Sequence, residues 1–218
     1  MQPITVTAGP LTAASANNIA LSQTVTGAAA VVLNGSLVTS GVAYLGTPRR
    51  ILITNVGNDS GITFTIVGTT YGGTSISQTV TGTSGSTVAT TLDFLTVTSI
   101  TTSGSTSASG ITVGTNTVGG SRWVRTDSFA LPSLSIQIDV SGTINYTLQS
   151  TNDDPNDPFN PVSINNVAWF DSTDSAVVSA SASKQTSFTN APTYIRLVVN
   201  SGTGTATATI IQYGNAPY

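Results

Sequence analysis

The chain of 218 residues contains no cysteine and no histidine, and its acidic residues are all aspartate. Without cysteine there is no disulfide framework and no thiolate chemistry, and the redox compartment stays unread. Without histidine as well, the usual nucleophile–base pairs and most zinc sites are excluded. Charge is scarce: 7% of residues are charged and the net charge is −3, where roughly a quarter is usual. Six basic residues in an acidic chain argue against electrostatic nucleic-acid binding. No apolar run approaches the ~20 residues of a membrane helix. The opening MQPITVTAGP has neither a charged nor an apolar leader segment, which predicts no signal peptide and a protein made and kept in a cytoplasm or released by lysis.

Thr, Ser, Gly, Ala and Val dominate instead. Thr and Val are β-branched and suit a pleated surface. The stretch Arg49 to Gly114 organises the rest. Ile51 and Ile53, then Ile62, Phe64 and Ile66, then Val97, then Ile111 and Val113 alternate with hydroxyl residues. Period two means strands with one face buried. Gly57 to Gly61, Gly72-Gly73, Gly82 to Gly85 and Gly104 supply the turns. No segment shows a 3.6-residue apolar period. The predicted class is all-β, with two antiparallel β-sandwich-like domains in tandem.

Residues 1–20 read as an N-terminal arm, with Ile4 and Val6 able to add a strand to a neighbour. Residues 21–118 form the first predicted domain. In it Ser22 to Leu33 reads as strand, turn, strand. Asn34-Gly35 is a hairpin signal, and Leu37 to Leu45 the return strand. SQTVTG occurs at Ser22–Gly27 and again at Ser77–Gly82; chance similarity is preferred to duplication in so Thr-rich a chain. Thr115 to Ser121 reads as a flexible linker around Gly119-Gly120. Eleven charged residues lie in Arg122–Arg196 and only four before it, so a second domain is placed at 122–218. Its strands are expected at Leu134–Val140, Ile144–Leu148, Val167–Phe170, Tyr194–Val199 and Ala206–Tyr213, with Ala176–Ala182 either strand or irregular.

Candidate sites are few. The loop TNDDPNDPFNP offers Asp153, Asp154 and Asp157, with Asp171 and Asp174 nearby in sequence. Oxygen ligands of this kind suit Ca²⁺, but the spacing is not that of an EF-hand, and Asp and Asn beside Pro also form ordinary turns. A plain loop and no cofactor are expected. Glycoside hydrolysis would need one carboxyl with a raised pKa in a cleft, which nothing implies. Gly82 to Gly85 lacks the lysine and helix of a phosphate loop. Arg49 and Arg50 could meet a partner, or could be a solvated strand end. Trp123 and Trp169 could anchor an interface, though core packing is preferred.

The segments RRILITNVGNDSGITFTIVGT, SQTVTG, FLTVTSITTSG and ITVGT resemble a recurring unit of small virion proteins of tailed bacteriophages. In the second half SIQIDVSGTINYTLQSTNDDP, the AWFD at Ala168–Asp171 and YIRLVVNSGTGTATATIIQYG resemble a companion unit. The resemblance spans Ser22 to Gly214 and supplies no catalytic residue. It implies a structural part of the particle, not an enzyme, assembled in the host cytoplasm. A decoration (cement) protein at capsomer junctions is the first expectation. It would bind the major capsid protein or other virion proteins and itself, as a homotrimer, through Ile4, Val6, Arg49 and Arg50, with no nucleic acid or membrane as partner. A neck- or tail-attached protein or fibre base is the alternative. From another class comes a carbohydrate-binding sandwich, with Trp169, Tyr146 and the acidic loop as its sugar platform.

Overall fold

The structure, a computed structural model, describes residues 3–127, 130 and 132–212. The chain is all-β and its strands pair antiparallel. Two compact units emerge: one from residues 12–117, the other from 1–11 together with 118–218. The first is therefore inserted in the sequence of the second. This corrects the expected tandem boundaries, because residues 1–11 belong with the C-terminal half.

The reason lies in β1 (Ile4–Ala8). It pairs along its full length with the strand Thr205–Gln212, Ile4 opposite Ile210 and Ala8 opposite Ala206. Val6 and Ala8 are buried. What reads as an arm with too few apolar residues to fold alone is completed by a partner some 200 residues away, a distance invisible to local pattern.

The inserted unit contains β2 (Ser15–Gln23), β3 (Val38–Thr39), β4 (Val42–Asn55), β5 (Thr63–Thr69), β6 (Ser75–Thr81), β7 (Thr87–Ala89), β8 (Phe94–Thr102) and the first residues of β9 (Ile111–Gly120). Their order is β9-β4-β8-β5-β6, with β2 on β9 and with β3 and β7 on β4. Ile51, Ile53, Phe64, Ile66, Phe94, Val97, Ile100, Ile111 and Val113 are buried, as period two requires.

Asn34-Gly35 is not the hairpin. The Asn34 and Gly35 amides both donate to the Ile19 carbonyl, and Asn34 Oδ1 accepts from the Leu21 amide. A Cβ on Gly35 would meet the Asn18 backbone at 2.2 Å, so glycine is needed here for close approach, while the turn it opens is centred on Ser36-Leu37, the Gly35 carbonyl accepting from the Val38 amide at 3.1 Å. The tight turn is Ser40-Gly41, both at positive φ (52° and 80°), between β3 and β4. Positive φ at both central residues is the type I′ requirement.

The second unit holds the end of β9, then β10 (Val124–Arg125), β11 (Leu134–Ser141), β12 (Ile144–Thr151), β13 (Phe170–Asp171), β14 (Lys184–Phe188), β15 (Tyr194–Gly202) and β16 (Thr205–Gln212). One sheet runs β1-β16-β11-β14. In the other, β13, β12 and β15 are neighbours and β10 also pairs with β15. Ile136, Ile138, Tyr146, Leu148, Leu197, Val199, Ala206 and Ala208 fill the space between them. The supposed linker is strand: Gly119 and Gly120 pair with Val199 and Val198. Val167 is not in a strand, and Phe170–Asp171 is the short one. Ala176–Ala182 is mostly irregular, entered by a single 3-10 turn at Ser175–Val177. Tyr213, the expected end of the closing strand, lies outside the described residues.

Candidate functional site

The residues with most chemistry gather on the outer face of the β13–β12–β15 sheet. Ile195, Leu197 and Val199 of β15 point into the core, so Tyr194 and Arg196 take the other face. The same alternation buries Leu148 and turns Gln149 outward. Trp123 sits edge-on to Trp169 (5.0 Å between ring centres, 70° between planes) and to Tyr194 (5.9 Å). The Arg196 guanidinium lies 4.2 Å from the Trp169 ring centre. Its Nε donates to Gln149 Oε1 at 2.9 Å, and Gln149 Nε2 donates to Asp171 Oδ1 at 2.8 Å. Both tryptophans are half-buried in this stack and neither joins the core cluster.

The acidic loop is built onto this stack. Arg125 pairs with Asp154 at 2.6 Å. Asp154 Oδ1 accepts from the Asn156 amide (2.8 Å) and from the Tyr194 hydroxyl (3.2 Å). Asp153 Oδ2 accepts from the Ala168 amide (2.7 Å), and Asp157 Oδ1 from the amides of Phe159 and Asn160 (2.8 Å each). Each carboxylate is thus spent on backbone N–H groups or on Arg125, and they do not aim at a common point. Among the described residues no group of three acidic side chains converges on a cation position. The Asp157 carboxyl is held below its usual value by the Asn160 and Phe159 amides. Asp174 is likewise lowered by the Ala176 amide and by a Thr186 side-chain bond. A general acid needs the opposite shift.

Of the expected sugar platform, Tyr146 is fully buried, its hydroxyl donating to the Ala182 carbonyl at 3.1 Å, and burial raises its pKa. Trp169 is capped by Arg196. The two therefore form no open platform. Exposed aromatics lie elsewhere: Phe159 is 87% exposed at the loop tip and Phe170 66% exposed on β13. An open cleft of about 350 Å³ borders Phe170, between the edge strands β13 and β14. Sequence reading missed Phe170, although it is part of the AWFD segment. Alternation within a two-residue strand carries too little pattern to assign a face.

Arg49 and Arg50 differ sharply. Arg49 is 1% exposed. Its Nη1 donates to Thr12 Oγ1 and its Nη2 to the Thr12 carbonyl, both at 2.7 Å. Nε donates to the Asn116 carbonyl at 3.1 Å, and Nη2 bonds the same oxygen. Burial lowers its pKa. A partner contact or solvated strand end is thus corrected to an internal clamp joining Thr12 to Asn116. Arg50 is partly exposed and faces Asp93 at 3.8 Å. Ile4 and Val6 pair within their own sheet, so the interface role expected for them gives way to an intramolecular one.

Searches against known protein families, curated proteins and solved structures return no match.

Proposed function

We propose that the chain is a non-enzymatic structural protein of a tailed-phage virion, a decoration protein that cements capsomer junctions. Cementing here means that area buried between subunits opposes the outward pressure of packaged DNA. The observation that carries the reading is the nearly uncharged exterior of the inserted unit. Its four charged residues are Arg49, Arg50, Asp59 and Asp93. Arg49 and Asp59 are each 1% exposed, the Asp93 side chain 8%, and the Arg50 side chain 33%. A soluble domain usually carries roughly 25% charged residues, and charge on the surface is what keeps copies apart. Leu21, Val32, Tyr44, Val56 and Tyr71 are exposed on the same unit. Edge strand β6 has no charged residue or proline to discourage strand pairing. Such a surface suits burial against a shell of major capsid protein and against further copies, with a homotrimer as the arrangement that the resemblance implies.

Mass spectrometry of purified virions tests the reading. About a hundred copies or more per particle support shell decoration. About a dozen or fewer move the protein to the neck or tail, since cyclic symmetry there limits the count. Absence from the particle removes the virion reading altogether.

A further inference from the structure

The cleft beside Phe170 brings two phenylalanines and two uncommitted asparagine amides together among the described residues. Phe170 on β13 and Phe188 at the end of β14 supply aromatic surface, with Pro192 between β14 and β15. Ser150, Asn152 and Asn190 supply the polar rim. Asn152 and Asn190 are exposed; Asn152 accepts from Thr193 through its backbone carbonyl, and neither side-chain amide makes a hydrogen bond among the described residues.

We infer that this cleft binds a neutral sugar, with a pyranose face laid on Phe170 and its hydroxyl groups read by Asn152 and Asn190. Three physical points select that ligand class. An aromatic face is electron-rich at its centre and attracts the C–H groups that line one side of a pyranose. A carboxamide offers two donors and an acceptor side by side, which matches neighbouring hydroxyl groups. The lining contains no cation and does contain Asp153, so phosphate, sulfate and acidic sugars are repelled. An acyl chain would leave the polar rim unpaired. The volume of about 350 Å³ sits at the lower end of small-molecule sites, which run from ~300 to ~1,000 Å³, so one or two sugar units fit. The inference stands independently of the virion reading: an adhesive surface and a sugar cleft could each exist without the other.

The test is NMR titration of the full chain with maltotriose, cellotriose and chitotriose. At least one should shift the amide signals of Phe170, Asn190 and their neighbours, with a dissociation constant of about 1 mM. Phe170→Ala should weaken binding about tenfold with an unchanged melting temperature, because that ring is mostly exposed. Asn190→Ala should weaken it about threefold, the loss of one weak neutral hydrogen bond, and gives an independent reading if the first variant folds poorly. The inference is overturned if no titrant shifts these signals at about ten times the expected constant. It is equally overturned if Phe170→Ala binds as well as the parent, or if sialyllactose binds better than every neutral sugar.

Discussion

The inserted unit and the unit around it dispose of their charges in opposite ways. Residues 12–117 tuck three of four charged side chains inside and present hydroxyls outward. The other unit carries eleven charged residues between Arg122 and Arg196 and uses them outside the core, to stack on tryptophan and to pin a loop. Polar cross-strand pairing differs on the β13–β12–β15 sheet. In the inserted unit it is done by hydroxyl pairs, Thr54–Thr87, Thr65–Thr79 and Thr69–Thr96, at 2.7–3.0 Å. The other unit repeats the hydroxyl pair once, Thr7–Thr207 at 3.0 Å between β1 and β16, but links β15, β12 and β13 through Arg196, Gln149 and Asp171. One chain thus solves the same problem, satisfying the wet face of a sheet, with two chemistries. The first leaves a surface with little to keep neighbours away. The second leaves an ordered, charged face.

The sharpest test sets Arg49 against Arg196. Arg49→Ala removes donors from the Thr12 and Asn116 carbonyls and leaves a void, at a cost of about 3 kcal/mol. Arg196→Ala loses a stacked cation at a half-exposed site, about 1 kcal/mol. Equal losses in urea unfolding would erase the distinction between a buried clamp and a surface stack. Arg49→Lys should recover little, because a point cation cannot span both carbonyls.

Next in size, Tyr146→Phe should cost about 1 kcal/mol. It removes the donor to Ala182 while the ring keeps its place in the core, and thermal melting reads the difference. Smaller again, Thr65→Val breaks one hydroxyl pair on an exposed strand face and should cost about 0.5 kcal/mol. A double-mutant cycle with Thr79→Val isolates that term, and a coupling of zero would mean that the hydroxyl ladder adds nothing.

The mildest effect is acid sensitivity of the second unit. Backbone amide hydrogen bonds hold the carboxyl groups of Asp157 and Asp174 below the ordinary aspartate value of 3.8 in the folded chain. Their contribution is therefore complete above that pH and is lost as pH falls through the lower, folded values. Protection of the Phe159, Asn160 and Ala176 amides, taken as the intrinsic exchange rate relative to the observed rate at each pH, should fall on acidification before that of the β5 amides. Simultaneous loss would show that the carboxylates do not hold these turns separately.

Much of the strand content was legible. Ile51, Ile53, Phe64, Ile66, Leu134, Ile136 and Ile138 alternate cleanly, and each is buried where period two places it. The candidate sites were less so. Arg49 and Arg50 are adjacent and chemically identical in the sequence. Alternation along β4 puts Arg49 on the buried face with Ile51 and Ile53 and Arg50 on the other, but only the fold supplies the Thr12 and Asn116 carbonyls that satisfy a cation there. Asp153, Asp154 and Asp157 look alike as ligands until their hydrogen-bond donors are known.

The hexapeptide that occurs twice marks the limit of local information. From Ser77 to Gly82, SQTVTG lies largely within β6, paired residue by residue with β5. From Ser22 to Gly27 the same six residues leave the strand after Gln23. There the Val25 amide donates to Thr106 Oγ1 and the Gly27 amide to Ser105 Oγ. Composition and alternation alone determined that this chain would be built of strands, because β-branched and hydroxyl residues at period two bury one face and wet the other. Which copy became strand, what satisfies an arginine on the buried face, and that Ile4–Ala8 pairs with Thr205–Gln212 were decided by tertiary structure. A backbone amide takes whichever acceptor the fold brings to it, and those acceptors lie tens to hundreds of residues away.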